Sequence, residues 1–157
     1  MAKYDDASWH YGGEYPQDLP IQNAATHIGM FLSWCIHHDL VSEELMADAP
    51  TEIQQVKTGD LSGAEFLLKV CNEKFTSYDL NELGQAFARD YYEGETDFGS
   101  RYSGYMDDYF DTFDEKADAL GFEYETLYHI ENTPANYDLL KPVIDQRFEE
   151  WQQYRQI

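Results

Sequence analysis

Residues 21–41 leave this chain little choice of architecture. Ile28, Phe31, Leu32, Cys35 and Ile36 recur at i, i+3, i+4 spacing, the period of a helix buried on one broad face. Other elements must cover so wide an apolar face, and the remaining sequence supplies mostly helices to do it. Asp39 and Ser42 suggest a break. Ser42 then caps a short helix through Met46, with Glu43 and Glu44 in its first turn. Pro50 sits near the start of a helix over 50–57. Ser62-Gly63-Ala64-Glu65 has the capping-box form ahead of Leu67, Leu68 and Cys71. Ser77 or Thr76 opens a helix carrying Leu80, Leu83, Phe87 and Tyr91, with Gly94 as its stop.

Residues 94–102 read as a loop, followed by a helix to Leu120 that stops at Gly121. Residues 122–131 alternate in places and fit either a strand or a helical turn. Thr133 caps a last helix with Pro134 in its first position. Its inner side is Leu139, Leu140, Val143, Arg147, Phe148 and Trp151. The expected fold is mostly α: one domain over 1–157, with a coil over 1–20 rich in aromatics and a helical body over 21–157. That body holds six or seven helices. A small β element could lie in the N-terminal coil or in 122–131. Trp9, Tyr11 and Tyr15 either seal the core under that coil or serve as interface anchors.

Charge narrows the function. The 157 residues carry 31 acids against 10 bases, a formal net charge of -21. Solubility of a small domain needs roughly 2 to 8 units. Such a field repels nucleic acid and anionic membrane and attracts basic proteins. No apolar run approaches the roughly 20 residues of a membrane span. Residues 1–6 lack the basic-then-apolar order of a secretion signal. Cys35 and Cys71 lie in apolar runs and read as buried thiols of a reducing compartment, although spacing alone leaves a disulfide open. A cytoplasmic location follows as the expectation.

The helix over 105–120 concentrates the acidity. On a helical wheel with Asp107 at zero, Asp108, Asp111, Asp114, Glu115 and Asp118 fall between about -20° and 100°. Tyr105, Met106, Tyr109, Phe110, Phe113, Ala117 and Leu120 fall between about 160° and 300°. The rings are assigned to the core and the acids to one exposed stripe. Like charges at i, i+4 destabilise a helix by a few tenths of a kcal/mol per pair, so the stripe has no local benefit. From Asp90 to Glu125 there are twelve acids and two bases, Arg101 and Lys116. The stripe, extended by Asp90, Glu93, Glu95 and Asp97, is the expected surface for a basic partner.

Other chemistry is poorly supported. The histidines are His10, His27, His37, His38 and His129. A grouping of His27 with His37 or His38 and Asp39 hints at metal, but none of the firm zinc spacings is present, so no metal or other cofactor is expected. Cys35 and His37 or His38 are too close along a helix to aim at each other as nucleophile and base. His129 beside Glu131 is the strongest catalytic candidate in a chain otherwise expected not to be an enzyme. Asp97-Phe98-Gly99 repeats a kinase tripeptide by chance, without the phosphate loop or the length of that fold, and reads as a turn at Gly99. Asp90 to Arg101 does not follow the EF-hand ligand pattern.

The runs YDDASWHYGGEYPQDLP, ATHIGMFLSW, NEKFTSYDLNELGQAFARDYY and LYHIENTPANYDLLKPVIDQRFEEW resemble a family of small acidic bacterial proteins of unassigned function. The resemblance covers nearly the whole chain. It implies no reaction and no cofactor, and no catalytic residue is carried over. Members are of the type found beside secreted antibacterial toxins, which implies an immunity protein that binds a basic toxin or effector domain. The competing expectations are a chaperone or adaptor for a secreted effector, and a small enzyme. No oligomeric state is specified.

Overall fold

The computed structural model describes residues 2–11 and 15–156, so Met1, Gly12, Gly13 and Glu14 of the expected N-terminal coil lie outside the described residues, as does Ile157. A short strand, β1 (Lys3–Asp6), leads directly into the single-turn helix α1 (Ala7–His10). A 3₁₀ turn at Ile21–Ala25 feeds α2 (Thr26–His37), followed by α3 (Glu43–Asp48), α4 (Pro50–Thr58) and α5 (Gly63–Lys69). Strand β2 (Lys74–Thr76) pairs antiparallel with β1. The chain then forms α6 (Glu82–Phe87), which continues as a π turn through Tyr92, and then α7 (Asp97–Arg101) and α8 (Tyr105–Leu120). A 3₁₀ turn at Leu127–His129 precedes the last helix, α9 (Pro134–Arg155).

The mostly α, single-core architecture expected from the sequence is present. Seven longer helices are joined among the described residues by two of a single turn, α1 and α7. The small β element is in the N-terminal segment, while residues 122–131 form a turn and no strand.

Local sequence explains most of the boundaries. Ser42 Oγ accepts from Leu45 N at 3.0 Å and starts α3. Ser62 and Glu65 complete a reciprocal capping box at α5. Thr133 caps α9 and Pro134 occupies its first turn. Gly121, at φ 78°, closes α8 in a left-handed conformation.

Two expectations need correction. Thr76 caps only the 3₁₀ turn that follows it, and Asn81 caps α6 through Gly84 N at 2.8 Å. Leu80 is held extended by a bridge to Val41, which delays the helix. Residues 97–101 are helical rather than loop. Phe98 is buried there and fixes the turn, and Gly99 packs on the Gly94 backbone.

Every residue of α2 from Thr26 to Ile36 is buried. This exceeds the one broad face read from spacing. α5 crosses it with backbone on backbone: a Cβ on Gly29 would overlap Ala64, and one on Gly63 would overlap the Gly29 carbonyl. Trp34 Nε1 donates to Asp145 of α9 at 2.8 Å, and the Tyr105 hydroxyl of α8 donates to the His27 carbonyl at 2.5 Å. α2 is thus the axle on which the other helices are mounted.

Replacing Gly29 or Gly63 with alanine would force α2 and α5 apart and should destabilise the fold by about 3 kcal/mol. Gly121→Ala meets open space and only a backbone penalty, about 1 kcal/mol. Urea denaturation of the three variants checks this ranking.

Candidate functional site

On α8, Asp107, Asp111, Asp114, Glu115 and Asp118 are all exposed, and none enters an ion pair among the described residues. Lys116, the one base of the helix, is turned away: its ammonium reaches Asn136 Oδ1 at 2.5 Å and lies 6.0 Å from the Tyr124 ring centre. Glu93, Glu95 and Asp97 are also exposed, and Asp97 accepts from the Tyr154 hydroxyl at 3.1 Å.

Phe110 is not the core residue expected. It is 41% exposed, while Leu120 is 67% exposed at the helix end. Phe110 stands one turn from both Asp107 and Asp114, so an exposed aromatic ring flanks the acidic stripe.

Asp108 and Asp90 do not belong to that surface. Both are buried. Asp108 holds Arg147 of α9 through Nε at 2.9 Å and Nη2 at 3.2 Å, and accepts from the Tyr91 hydroxyl at 2.6 Å. Asp90 accepts from Trp151 Nε1 at 2.8 Å, Thr96 Oγ1 at 2.9 Å and Arg155 Nη1 at 3.3 Å. The buried arc of α8 is therefore rotated from the one expected: Asp108 turns in because a bidentate arginine waits there, and Phe110 turns out in exchange. The last helix also differs from expectation at Leu139, which is 44% exposed.

A third site joins residues far apart in the sequence. Asp5 from β1, His10 from α1 and His27 from the first turn of α2 bring their donor atoms within 4.8 Å of one another. His10 Nε2 lies 2.8 Å from Asp5 Oδ1, and its Nδ1 lies 2.9 Å from the Tyr128 hydroxyl. The Tyr92 hydroxyl donates to Asp5 Oδ2 at 2.5 Å. His27 Nε2 is 3.4 Å from the same oxygen, without hydrogen-bond geometry, and neither ring nitrogen of His27 has a hydrogen-bond partner. Burial works to raise the Asp5 carboxyl, but His10, His27 and Tyr92 outweigh it and hold Asp5 well below the usual carboxylate range. Burial holds His27 below its ordinary value, so its ring is neutral near pH 7.

The grouping of His27 with His37 or His38 and Asp39, set aside on spacing, is indeed not assembled. His37 bonds the Ser33 carbonyl, His38 stacks on Trp34 and meets Asp145 at 3.2 Å, and Asp39 pairs with Lys57. His129 meets Asp18 at 2.9 Å and Glu125 at 3.3 Å instead of Glu131, whose carboxylate accepts from the Tyr124 hydroxyl. Cys35 and Cys71 are both free, and burial pushes each thiol far above its ordinary value, which leaves neither as a ready nucleophile. The Asp5–His10–His27 group was missed because its members follow no ligand spacing. The one available signal is that His10 follows Asp5 and Asp6 within a few residues, in an N-terminal segment that also holds Tyr4, Tyr11 and Tyr15.

Residues 3–125 match a protein family described as a domain of unknown function, DUF7832. The chain belongs to that family. The DUF7832 match takes in Asp5, His10, His27 and the whole of α8, and it ends before α9, the source of Arg147, Trp151 and Arg155. No curated protein and no solved structure matches the chain. Among the described residues of this DUF7832 protein, no helix is long and apolar enough to cross a membrane.

The arrangement separates structural acids from surface acids, and the two classes should respond differently to mutation. Arg147→Ala strands the buried Asp108 charge and should destabilise the protein by about 2–4 kcal/mol, less than a fully buried pair because the arginine is partly exposed. Asp111→Asn should change stability by no more than about 0.5 kcal/mol, in the favourable direction if like-charge relief dominates. Thermal and urea unfolding of both variants measure the difference.

Proposed function

We propose that this DUF7832 protein is a cytoplasmic, non-enzymatic immunity protein that binds and neutralises the basic catalytic domain of a secreted bacterial toxin. A nuclease fits best, since a groove that binds phosphates also accepts a row of carboxylates. The observation that carries the reading is the outer face of α8. Five carboxylates stand there without a neutralising base among the described residues, with Phe110 exposed at the edge of their row. Charge of one sign steers a basic partner and sets orientation, whereas a ring beside the row supplies the burial that slows dissociation. Folding gives no reason for either feature: the like charges repel along the helix, and Phe110 leaves the core.

A small enzyme is the second reading, and one specific observation favours it: His10 bridges the Asp5 carboxylate and the Tyr128 hydroxyl, as a general base is held by an orienting acid. In that case activity would depend on His10 and be indifferent to α8.

The test first asks whether a gene beside the one for this chain encodes a protein with a basic C-terminal domain, and takes that domain as the binding partner. Binding kinetics at low and physiological salt should show fast, salt-sensitive association. Reversing Asp107, Asp111 and Glu115 to lysine should slow association about tenfold or more at low salt. Phe110→Ala should raise the dissociation rate by about 1–2 kcal/mol equivalent. Wild-type kinetics in both variants would move the interface off α8, and the absence of any complex with that domain would refute the immunity reading.

A further inference from the structure

We infer that Asp5, His10 and His27 form a binding site for one divalent transition-metal ion, with Zn²⁺ the best match to the donors. Two imidazoles and one carboxylate are a borderline donor set that suits zinc and its first-row neighbours. Three separate elements deliver them, and the donor atoms already converge.

The strongest observation is His27. Its side chain is 1% exposed, yet neither nitrogen has a hydrogen-bond partner. Buried polar atoms are rarely left so, because each loses its hydrogen bonds to water and gains none in return. Coordination at Nε2 resolves one of them. The 3.4 Å between His27 Nε2 and Asp5 Oδ2 is close to the ligand–ligand edge of a tetrahedron built on zinc bonds of about 2.0–2.1 Å, an edge of about 3.3 Å.

The surroundings supply what metal ligands require. Tyr128 sits against His10 Nδ1, the position from which an outer partner fixes the tautomer of a ligating imidazole. Tyr92 holds Asp5 from the opposite side. The His10 side chain is 24% exposed, which gives the ion its path from solvent and leaves room for a water as fourth ligand. A bound ion would staple β1 and α1 to α2.

The exposed group of Asp18, Glu125 and His129 is the natural control. It offers one imidazole and two solvated carboxylates, a much weaker donor set. The full chain, stripped of metal, is titrated with Zn²⁺ by calorimetry and with Co²⁺ by visible absorption. Binding of one ion with Kd below about 1 µM is expected, with a Co²⁺ spectrum of low coordination number. His10→Ala and His27→Gln should each weaken it at least about 100-fold, Tyr128→Phe about tenfold, and His129→Ala not at all. His10 is partly exposed, so His10→Ala keeps the test decisive should His27→Gln fail to fold, provided its circular dichroism matches wild type. Binding lost in His129→Ala but retained in His10→Ala overturns the assignment. So does weak uptake at several sites in place of one tight ion.

Discussion

Everything in this fold is arranged around the total burial of α2. A helix covered on every side needs partners at more than one distance, and Gly29 and Gly63 set the shortest of them by letting α5 lie backbone to backbone against it. The other contacts are longer and carried by side chains. Trp34 reaches Asp145 on α9, and Tyr105 reaches the His27 carbonyl from α8. Because α2 is fixed so firmly, its first turn can present His27 to Asp5 and His10 without freedom to rotate away.

The excess of acid shapes the interior as well as the surface. With 31 carboxylates and 10 bases, ion pairing cannot serve most acids, and tyrosine takes over as donor. Tyr91 bonds Asp108, Tyr92 bonds Asp5, Tyr11 bonds Glu73, Tyr78 bonds Asp48, Tyr124 bonds Glu131 and Tyr154 bonds Asp97. A phenol donates strongly to a carboxylate and brings its ring into the core with it. The abundance of both acids and tyrosines therefore has a structural cause at these six places. On the outer face of α8 it has none, since the five carboxylates have no hydrogen-bond or ion-pair partner among the described residues and Phe110 is 41% exposed, and that contrast is the basis for placing the partner there.

The two candidate sites rest on different physics. One is a field and a ring on an exposed helix, sensitive to salt. The other is a convergent set of donors at the root of the N-terminal segment, sensitive to metal. Steering of a basic domain needs no ion, and a metal staple needs no partner.

The sequence by itself determined the α content, the caps at Ser42, Ser62 and Thr133, the stop at Gly121, the apolar commitment of α2 and the net charge. These are local or summed properties, written in spacing of about 3.6 residues and in residue type. Tertiary structure decided which acids are surface and which are core. Asp107 and Asp108 are adjacent and chemically identical, and only the position of Arg147 on a helix some forty residues later turns one of them inward. It also decided which histidines meet. Asp5, His10 and His27 share no period, and they converge because β1 pairs with β2 and α1 packs at the start of α2. Long-range pairing of this kind leaves no trace in spacing, because the energy that fixes it resides in the partner and not in the segment.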